Sequence, residues 1–191
     1  MRIVGGRFGG RILAAPAGQG TRPSSDRLRE TLFDILAHRF GNPIEGARVL
    51  DLFSGTGALG LEALSRGAAF ALFVENNAPA RGIIRTNIDV LGLTGVTRVF
   101  RRDAVRLGPI GNLPPFDLVF ADPPYGERLG EAALASALAS GWLADGALAV
   151  LEETASGSAQ DILGLTAVDV RRVGKSELRF FNAPTTGGAS G

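Results

Sequence analysis

Short apolar stretches recur along the chain between glycine, proline and polar residues, and their spacing alternates between that of strands and that of helices. Compact apolar runs predict buried strands, whereas apolar residues at every third or fourth position predict helices. The predicted strands span residues 48–53, 70–74, 96–100, 116–121, 147–151, 167–173 and 177–181. The predicted helices span residues 27–40, the segment after Gly60 up to residue 66, and residues 78–91, 129–140 and 160–163.

This order of elements predicts an α/β domain with a seven-stranded, mostly parallel sheet. The last two strands flank a short turn and predict a C-terminal antiparallel hairpin. Residues 2–4 and 11–13 are separated by glycines and predict a small N-terminal β-hairpin. We therefore expect a hairpin arm at 1–20, a main domain at 21–182 and a tail at 183–191, which its Pro, Thr, Gly and Ser content predicts to be disordered.

Acidic residues stand at or near the ends of four predicted strands: Asp51, Glu75, Asp103 and Asp122. Right-handed crossovers place the carboxyl ends of parallel strands on one edge of the sheet, where α/β domains bind their ligands. Polar residues favour strand ends in any protein, but four acids in register are better explained by a binding site.

A glycine-rich turn with Gly55, Gly57 and Gly60 directly follows the first predicted strand and opens a helix. Without side chains, this turn lets a cofactor approach the backbone and the helix N-terminus. Glu75 stands 20 residues after Gly55, where an acid can accept hydrogen bonds from both ribose hydroxyls. Taken alone, the pattern suits a nicotinamide dinucleotide as well as other adenosine cofactors.

The fourth predicted strand leads into Asp122-Pro123-Pro124-Tyr125. Two prolines fix φ and remove two N–H donors, so the turn is a rigid acceptor site, although Pro-Pro alone also suits an ordinary surface turn. Asp122 and the Pro123 carbonyl can accept both hydrogens of a planar amino group, and Tyr125 can stack on the attached base. This arrangement favours methylation of an exocyclic amine, whose lone pair is otherwise delocalised into the ring.

Composition narrows the chemistry further. The 191 residues contain no cysteine and one histidine, His38, which falls in a predicted helix, so we expect neither a thiolate nucleophile nor a Ser–His triad. No apolar run approaches a membrane span, and we expect a cytoplasmic protein with no membrane partner. The net charge is +1, but residues 1–30 carry six arginines against two acids, which predicts a phosphate-contacting arm.

Several segments of the chain resemble a known family. They are RIVGGRFGGRIL, RPSSDRLRETLFDIL, LDLFSGTGALGLEALSRGA, FVE, DLVFADPPYG and GKSELRFF, within residues 2–181. They resemble the RsmD family, bacterial Rossmann-like methyltransferases that use S-adenosylmethionine to modify the N2 amino group of a guanine in 16S ribosomal RNA. The combination of the second and third segments is specific, whereas DPPY alone is shared with adenine-N6 enzymes. Asn76 and Asn77 depart from the family pattern, in which charged residues are more common.

The resemblance implies a role for particular residues of this chain. The implied cofactor-binding residues are Asp51, Phe53, Gly55, Gly57, Glu75, Asn76, Asp103 and Ala104. The implied catalytic residues are Asp122, Pro123, Pro124 and Tyr125, and the implied RNA contacts are Arg2, Arg7, Arg11 and Arg22. We expect a monomer without a metal site, acting on 16S ribosomal RNA in the small subunit or in an assembly intermediate.

Other functions use the same patterns. An adenine-N6 nucleic-acid methyltransferase shares the Asp122 motif but usually carries a separate target-recognition domain. A glutamine-N5 protein methyltransferase would favour asparagine at position 122. A nicotinamide oxidoreductase and a non-catalytic RNA-binding module are alternatives of a different class, since one fold serves many functions. Cofactor binding distinguishes these last two from a methyltransferase, whose melting temperature S-adenosylhomocysteine should raise and NAD should not.

Overall fold

The computed structural model describes residues 1–16, 23–124, 128–154 and 161–185, and in these residues seven strands form one sheet. The strands are β1 Arg48–Leu52, β2 Phe70–Val74, β3 Thr97–Phe100, β4 Phe116–Ala121, β5 Leu143–Thr154, β6 Thr166–Val173 and β7 Ser176–Asn182. Their order in the sheet is β3-β2-β1-β4-β5-β7-β6. β1 to β5 pair in parallel, and β7 lies antiparallel to both of its neighbours. The predicted α/β class, with a mostly parallel sheet and a C-terminal antiparallel hairpin, is confirmed.

Four helices cover the sheet within the same residues. They are α1 Pro23–Arg39, α2 Ala58–Ser65, α3 Ala78–Leu91 and α4 Leu129–Ala139, and 3-10 turns lie at Gly6–Phe8, Thr94–Val96 and Ala104–Arg106. Over the described ranges, no helix is long and apolar enough to cross a membrane. His38 lies in the last turn of α1 and is exposed, so the structure agrees with its prediction as a helix residue.

The two faces of the sheet bury separate apolar layers. We call the side that packs against α1, α2 and α3 the front face, and it includes Val49, Phe120 and Val150. The back face packs against α4 and includes Val119 and Leu151. Because successive side chains of a strand alternate between faces, a sheet covered on both sides needs the nearly continuous apolar runs seen in the sequence.

Several helix and strand boundaries lie where the local sequence predicts them. β2, β4 and α3 have the predicted limits. The side chain of Asn77 accepts a hydrogen bond from the Ala80 N–H at 2.9 Å and so caps α3 at its N-terminus. Gly92, with φ of 67°, ends the helix in the left-handed conformation that glycine adopts most easily.

Three predictions near the C-terminus were wrong or incomplete. β5 extends to Thr154 rather than ending at 151, because it continues to pair with β7 up to Ser176. The helix predicted at 160–163 is not formed: residue 160 lies outside the described residues, and Leu165 donates to the Ile162 carbonyl in a turn. Ala183, predicted to be in a disordered tail, is buried and donates to the Ala147 carbonyl at 2.8 Å.

The N-terminal hairpin is present as a short paired loop that packs against α2. Arg2 and Ile12 form an antiparallel bridge, and Ile3 is fully buried. The amides of Val4 and Gly5 donate to the carboxylate of Glu62 in α2, at 2.7 and 2.8 Å. The hairpin is therefore part of the domain surface rather than a separate projection.

The contact between the hairpin and α2 requires the absence of a side chain at Gly6. This residue has φ of 73°, and a Cβ atom there would lie 2.0 Å from the backbone oxygen of Ser65. Since the obstacle is backbone, it cannot move aside as a flexible side chain would. The close approach of the two segments therefore depends on glycine at this position.

Glu62 is the electrostatic centre of this contact, and its replacement tests the packing. The carboxylate is fully buried and pairs with Arg66 at 2.8 Å and with the buried Arg29 at 3.4 Å. We expect Glu62→Gln to lower the free energy of unfolding by about 3 kcal/mol or more, because it removes one partner of a buried ion pair. Urea denaturation measures the change.

The exposed Glu30 of α1 provides a matched control for that experiment. Glu30→Gln should change stability by no more than about 0.5 kcal/mol, as is usual for surface substitutions. Equal effects of the two substitutions would show that Glu62 does not stabilise the hairpin.

Candidate active site

Acidic residues line the carboxyl edge of the parallel strands. Asp51 is the penultimate residue of β1, and Glu75 and Asp122 directly follow β2 and β4. Backbone pairing continues at this edge, where the Glu75 N–H donates to Phe100 at 3.1 Å. Asp103 lies three residues beyond β3, the outermost strand. The structure therefore places all four predicted acids along one edge.

Asp51 is buried beneath the start of α2. Its carboxylate accepts a hydrogen bond from the Gly60 N–H at 3.0 Å. Burial raises the pKa of Asp51 to about 7, the Gly60 bond opposes this rise, and the charge of Glu75 adds to it. Gly60 allows this approach because a Cβ there would lie 2.5 Å from the Phe73 ring.

The glycine-rich turn is bonded to Glu75 through the amide of Gly55. Glu75 accepts from the Gly55 N–H at 2.9 Å and from the Asn77 N–H at 2.8 Å. Phe53 has φ of 58°, a conformation that is strained for a residue other than glycine. Such strain concentrates at functional sites, where the surrounding structure maintains it. The geometry therefore supports a binding role for the turn that contains Phe53, Gly55 and Gly57.

The remaining residues predicted for the cofactor lie at the same edge, further toward β3. Asp103 is exposed, and its side chain accepts from the Val105 N–H at 3.0 Å, next to the buried Ala104. Asn76 is exposed beside Glu75, and its carbonyl accepts from Arg81 at 2.7 Å.

The turn after β4 carries the predicted catalytic residues. Asp122 and Pro124 are exposed, Pro123 is buried, and Tyr125 lies outside the described residues. Desolvation by the surrounding protein raises the pKa of Asp122 to about 8, and the charges of Glu152 and Asp51 add to this effect. The carboxyl group of Asp122 reaches solvent and is easier to protonate than that of an ordinary aspartate.

Three residues of the site were missed by sequence analysis. Arg81, buried in α3, donates to the carbonyls of Glu75 and Asn76 and fixes that turn. Asn87, also buried in α3, donates to the Thr56 carbonyl at 3.0 Å and bonds the backbone of Ala14. The signal for both was a polar residue on the apolar stripe of a helix. Glu152, in β5 beside Asp122, was assigned only as a strand end.

The arginines predicted to bind RNA lie on the N-terminal hairpin, as far as the structure describes them. Arg2, Arg7 and Arg11 are exposed, and Arg22 lies outside the described residues. Arg2 approaches Asp26 at 3.8 Å, and Arg7 lies over the Phe8 ring at 4.6 Å. The hairpin thus presents three exposed cations to solvent.

The carboxyl edge fits S-adenosylmethionine, the cofactor that the resemblance implies. A Cβ at Gly55 would meet no atom nearer than 3.9 Å, so the backbone of the turn is open on that side. Each Glu75 oxygen accepts one amide bond and retains a lone pair for a hydroxyl donor. In the described residues no cluster of acidic or histidine side chains could hold a metal ion.

The protein is a Rossmann-like methyltransferase that uses S-adenosylmethionine. Its defining features are an antiparallel β7 between β5 and β6, a glycine-rich turn after β1 and an acid after β2. The chain belongs to the RsmD family. The family model described as conserved hypothetical protein 95 matches residues 1–182.

Similar proteins agree with this assignment. Ribosomal RNA small subunit methyltransferase D of Escherichia coli K12 is 42% identical over 153 residues, which cover 80% of this chain and 74% of the relative. The solved structure of yhhF from Escherichia coli has a TM-score of 0.81 at 34% identity and covers 97% of this chain and 99% of its own. The 16S rRNA N2 G1207 methyltransferase of Thermus thermophilus, solved with AdoMet and guanosine, shares the fold at a TM-score of 0.65 and 20% identity, over 87% and 44% of the two chains.

Substitution of Glu75 tests the cofactor edge. We expect Glu75→Ala to raise the dissociation constant of S-adenosylhomocysteine about 10-fold or more, because charge-assisted hydrogen bonds are lost and the Gly55 amide loses its acceptor. Isothermal titration calorimetry measures the constant. Asp34→Asn, an exposed substitution in α1, is the matched control. An unchanged constant in Glu75→Ala would refute the ribose assignment.

Proposed function

We propose that this protein transfers a methyl group from S-adenosylmethionine to the exocyclic N2 amino group of a guanine in 16S ribosomal RNA of the small subunit. The observation that carries the proposal is the position of Asp122 and Pro123, at the end of β4 and beside the acid-lined edge. An Escherichia coli relative of 42% identity is named ribosomal RNA small subunit methyltransferase D, which supports the substrate class.

The chain offers a separate contact for each part of the cofactor. Asp51, Phe53, Gly55 and Gly57 would surround the methionine end, Glu75 and Asn76 the ribose, and Asp103 and Ala104 the adenine. When bound, S-adenosylmethionine supplies a methyl group on a positively charged sulfur. When ionised, the carboxyl groups of Asp51 and Asp122 give that end of the site a negative potential, which favours a sulfonium group.

The turn after β4 would orient the target amine. Asp122 and the Pro123 carbonyl accept its two hydrogens, which favours the pyramidal nitrogen geometry that makes the lone pair available. Because the prolines fix the backbone, the acceptors do not need to be ordered when the base binds. Tyr125 stacks on the extruded base, and Pro124 supports the turn. Transfer is direct and in line, without a covalent enzyme intermediate.

The exposed arginines of the hairpin would contact RNA phosphates. Arg2, Arg7 and Arg11 are exposed residues of the same hairpin, and Arg22 extends the basic segment along the chain. Arginine suits this role because its planar group forms paired hydrogen bonds with phosphate. With a net charge of only +1, the protein gains little nonspecific affinity, which favours a structured target in the small subunit or an assembly intermediate. The protein acts as a monomer, with residues 1–20 as RNA arm and 21–182 as catalytic domain.

Nucleoside mass spectrometry tests the proposed function. Purified protein and S-adenosylmethionine are incubated with unmodified small subunits, protein-free 16S RNA and duplex DNA. N2-methylguanosine in RNA is the expected product, and small subunits are the expected preferred form. N6-methyladenine in DNA would show that the substrate is adenine in DNA rather than guanine in RNA. The absence of any methylated nucleoside would overturn the proposal.

The raised pKa of Asp122 predicts how the rate depends on pH. A carboxyl group with pKa of about 8 is mostly protonated below that pH, so it accepts amine hydrogens fully only above it. We expect kcat to rise between pH 6 and 8 and to level off near pH 9. Asp122→Asn should lower kcat about 100-fold, as general-base groups commonly contribute, and should abolish the rise.

The dissociation constant of S-adenosylhomocysteine is the control for the effect of Asp122→Asn on kcat. That constant should change by less than about threefold in Asp122→Asn, since the target base and not the cofactor contacts this group. A flat wild-type kcat from pH 6 to 9 would contradict the role of an ionised Asp122.

A further inference from the structure

Glu152 lies beside Asp122 on the same face of the sheet. β4 and β5 are parallel neighbours with Ala121 opposite Leu151, so the next residues in each chain are also neighbours. Phe120 and Val150 point to the front face, and side chains alternate along a strand. Asp122 and Glu152 therefore both project from the front face at the carboxyl edge, and their charges interact.

The next residue, Glu153, differs from Glu152 because it forms an ion pair. It projects to the back face and pairs with Arg179 at 3.7 Å. Glu152 is half-buried, and its one hydrogen-bond partner in the described part of the chain is the Ser176 hydroxyl of β7, which donates at 3.0 Å. No cation of the described residues forms an ion pair with it.

The charges that act on Asp122 are those of acidic residues, Glu152 and Asp51. Asp51 lies on β1, the strand next to β4, Glu75 directly follows β2, and β7 contributes the neutral Ser176. Desolvation raises the pKa of Glu152, and the bond from Ser176 opposes that rise. Two adjacent carboxyl groups without a cation repel each other when both are ionised, so folding stability does not explain the arrangement.

We propose that Glu152 is a further acidic residue of the target-amine site and forms with Asp122 a carboxyl pair that takes up the proton released from the methylated amine. The inference rests on the proposed methyl transfer to an exocyclic amine. Such a reaction places a positive charge on the nitrogen, and a pair of carboxyl groups is a suitable acceptor because two groups so close share one proton readily.

Asp122 receives the proton that the methylated amine releases. Once N2 carries the methyl group, it has two hydrogens and a positive charge. One N–H bond breaks, its electron pair stays on nitrogen, and the proton goes to the Asp122 carboxylate. The amine becomes neutral and the carboxyl group loses its negative charge. Glu152 accepts a hydrogen bond from the protonated Asp122 and passes the proton to water at the exposed edge.

Glu152→Gln tests the proposal, because glutamine keeps the shape and removes the proton acceptor. We expect kcat to fall about 100-fold, the lower end of the range of acid–base groups, while KM for RNA and the dissociation constant of S-adenosylhomocysteine change less than about threefold. The pH midpoint of kcat should move lower by about one unit, because Asp122 loses its negative neighbour. Glu153→Gln, on the opposite face, should leave kcat within about twofold of wild type.

Several outcomes would overturn the proposal. A Glu152→Gln enzyme with wild-type kcat and pH midpoint would remove Glu152 from the reaction, while the proposed function would stand as long as wild type makes N2-methylguanosine. If wild type makes none, the proposed function itself fails. Should the variant not fold, carbon-13 carboxyl titration of wild type decides: coupled titration of Asp122 and Glu152 supports the pair, and independent titration near pH 4 refutes it.

Discussion

Parallel pairing of β1, β4 and β5 brings Asp51, Asp122 and Glu152 to one edge, and the rest of the structure accommodates the resulting repulsion. Register cannot shift by one residue, because every side chain would then exchange the front face for the back. The gathered charge is offset by hydrogen bonds instead: Gly60 donates to Asp51, and Ser176 to Glu152. The sheet therefore concentrates negative charge where a sulfonium and an amine would meet.

The helices and the N-terminal hairpin support this edge from the front. α2 carries Gly60 near its start and Glu62 two residues later, so a single helix contacts both Asp51 and the hairpin. Asn87 of α3 connects the hairpin backbone at Ala14 with the glycine-rich turn at Thr56. The segment proposed to contact RNA and the turn proposed to contact the cofactor are thus parts of one bonded network.

Much of this arrangement could be predicted because it is encoded locally. The limits of β2, β4 and α3 follow from apolar runs, a capping asparagine and a terminal glycine, and strand-end acids indicated the edge. Features that depend on distant pairing could not be predicted. β5 is lengthened by pairing with β7, although β6 lies between them in the sequence, and the buried Ile162 and Leu165 belong to a turn rather than a helix. Glu152 was missed because its proximity to Asp122 depends on strand register, which the sequence does not display.

The position of the hairpin's charges depends on an uncharged residue, Gly6. The hairpin that carries the basic side chains can approach α2 because Gly6 presents only a hydrogen atom to Ser65. A methyl group there would displace the hairpin without altering a single charge. The net charge would be the same for both sequences, although the positions of Arg2, Arg7 and Arg11 relative to the catalytic edge would differ.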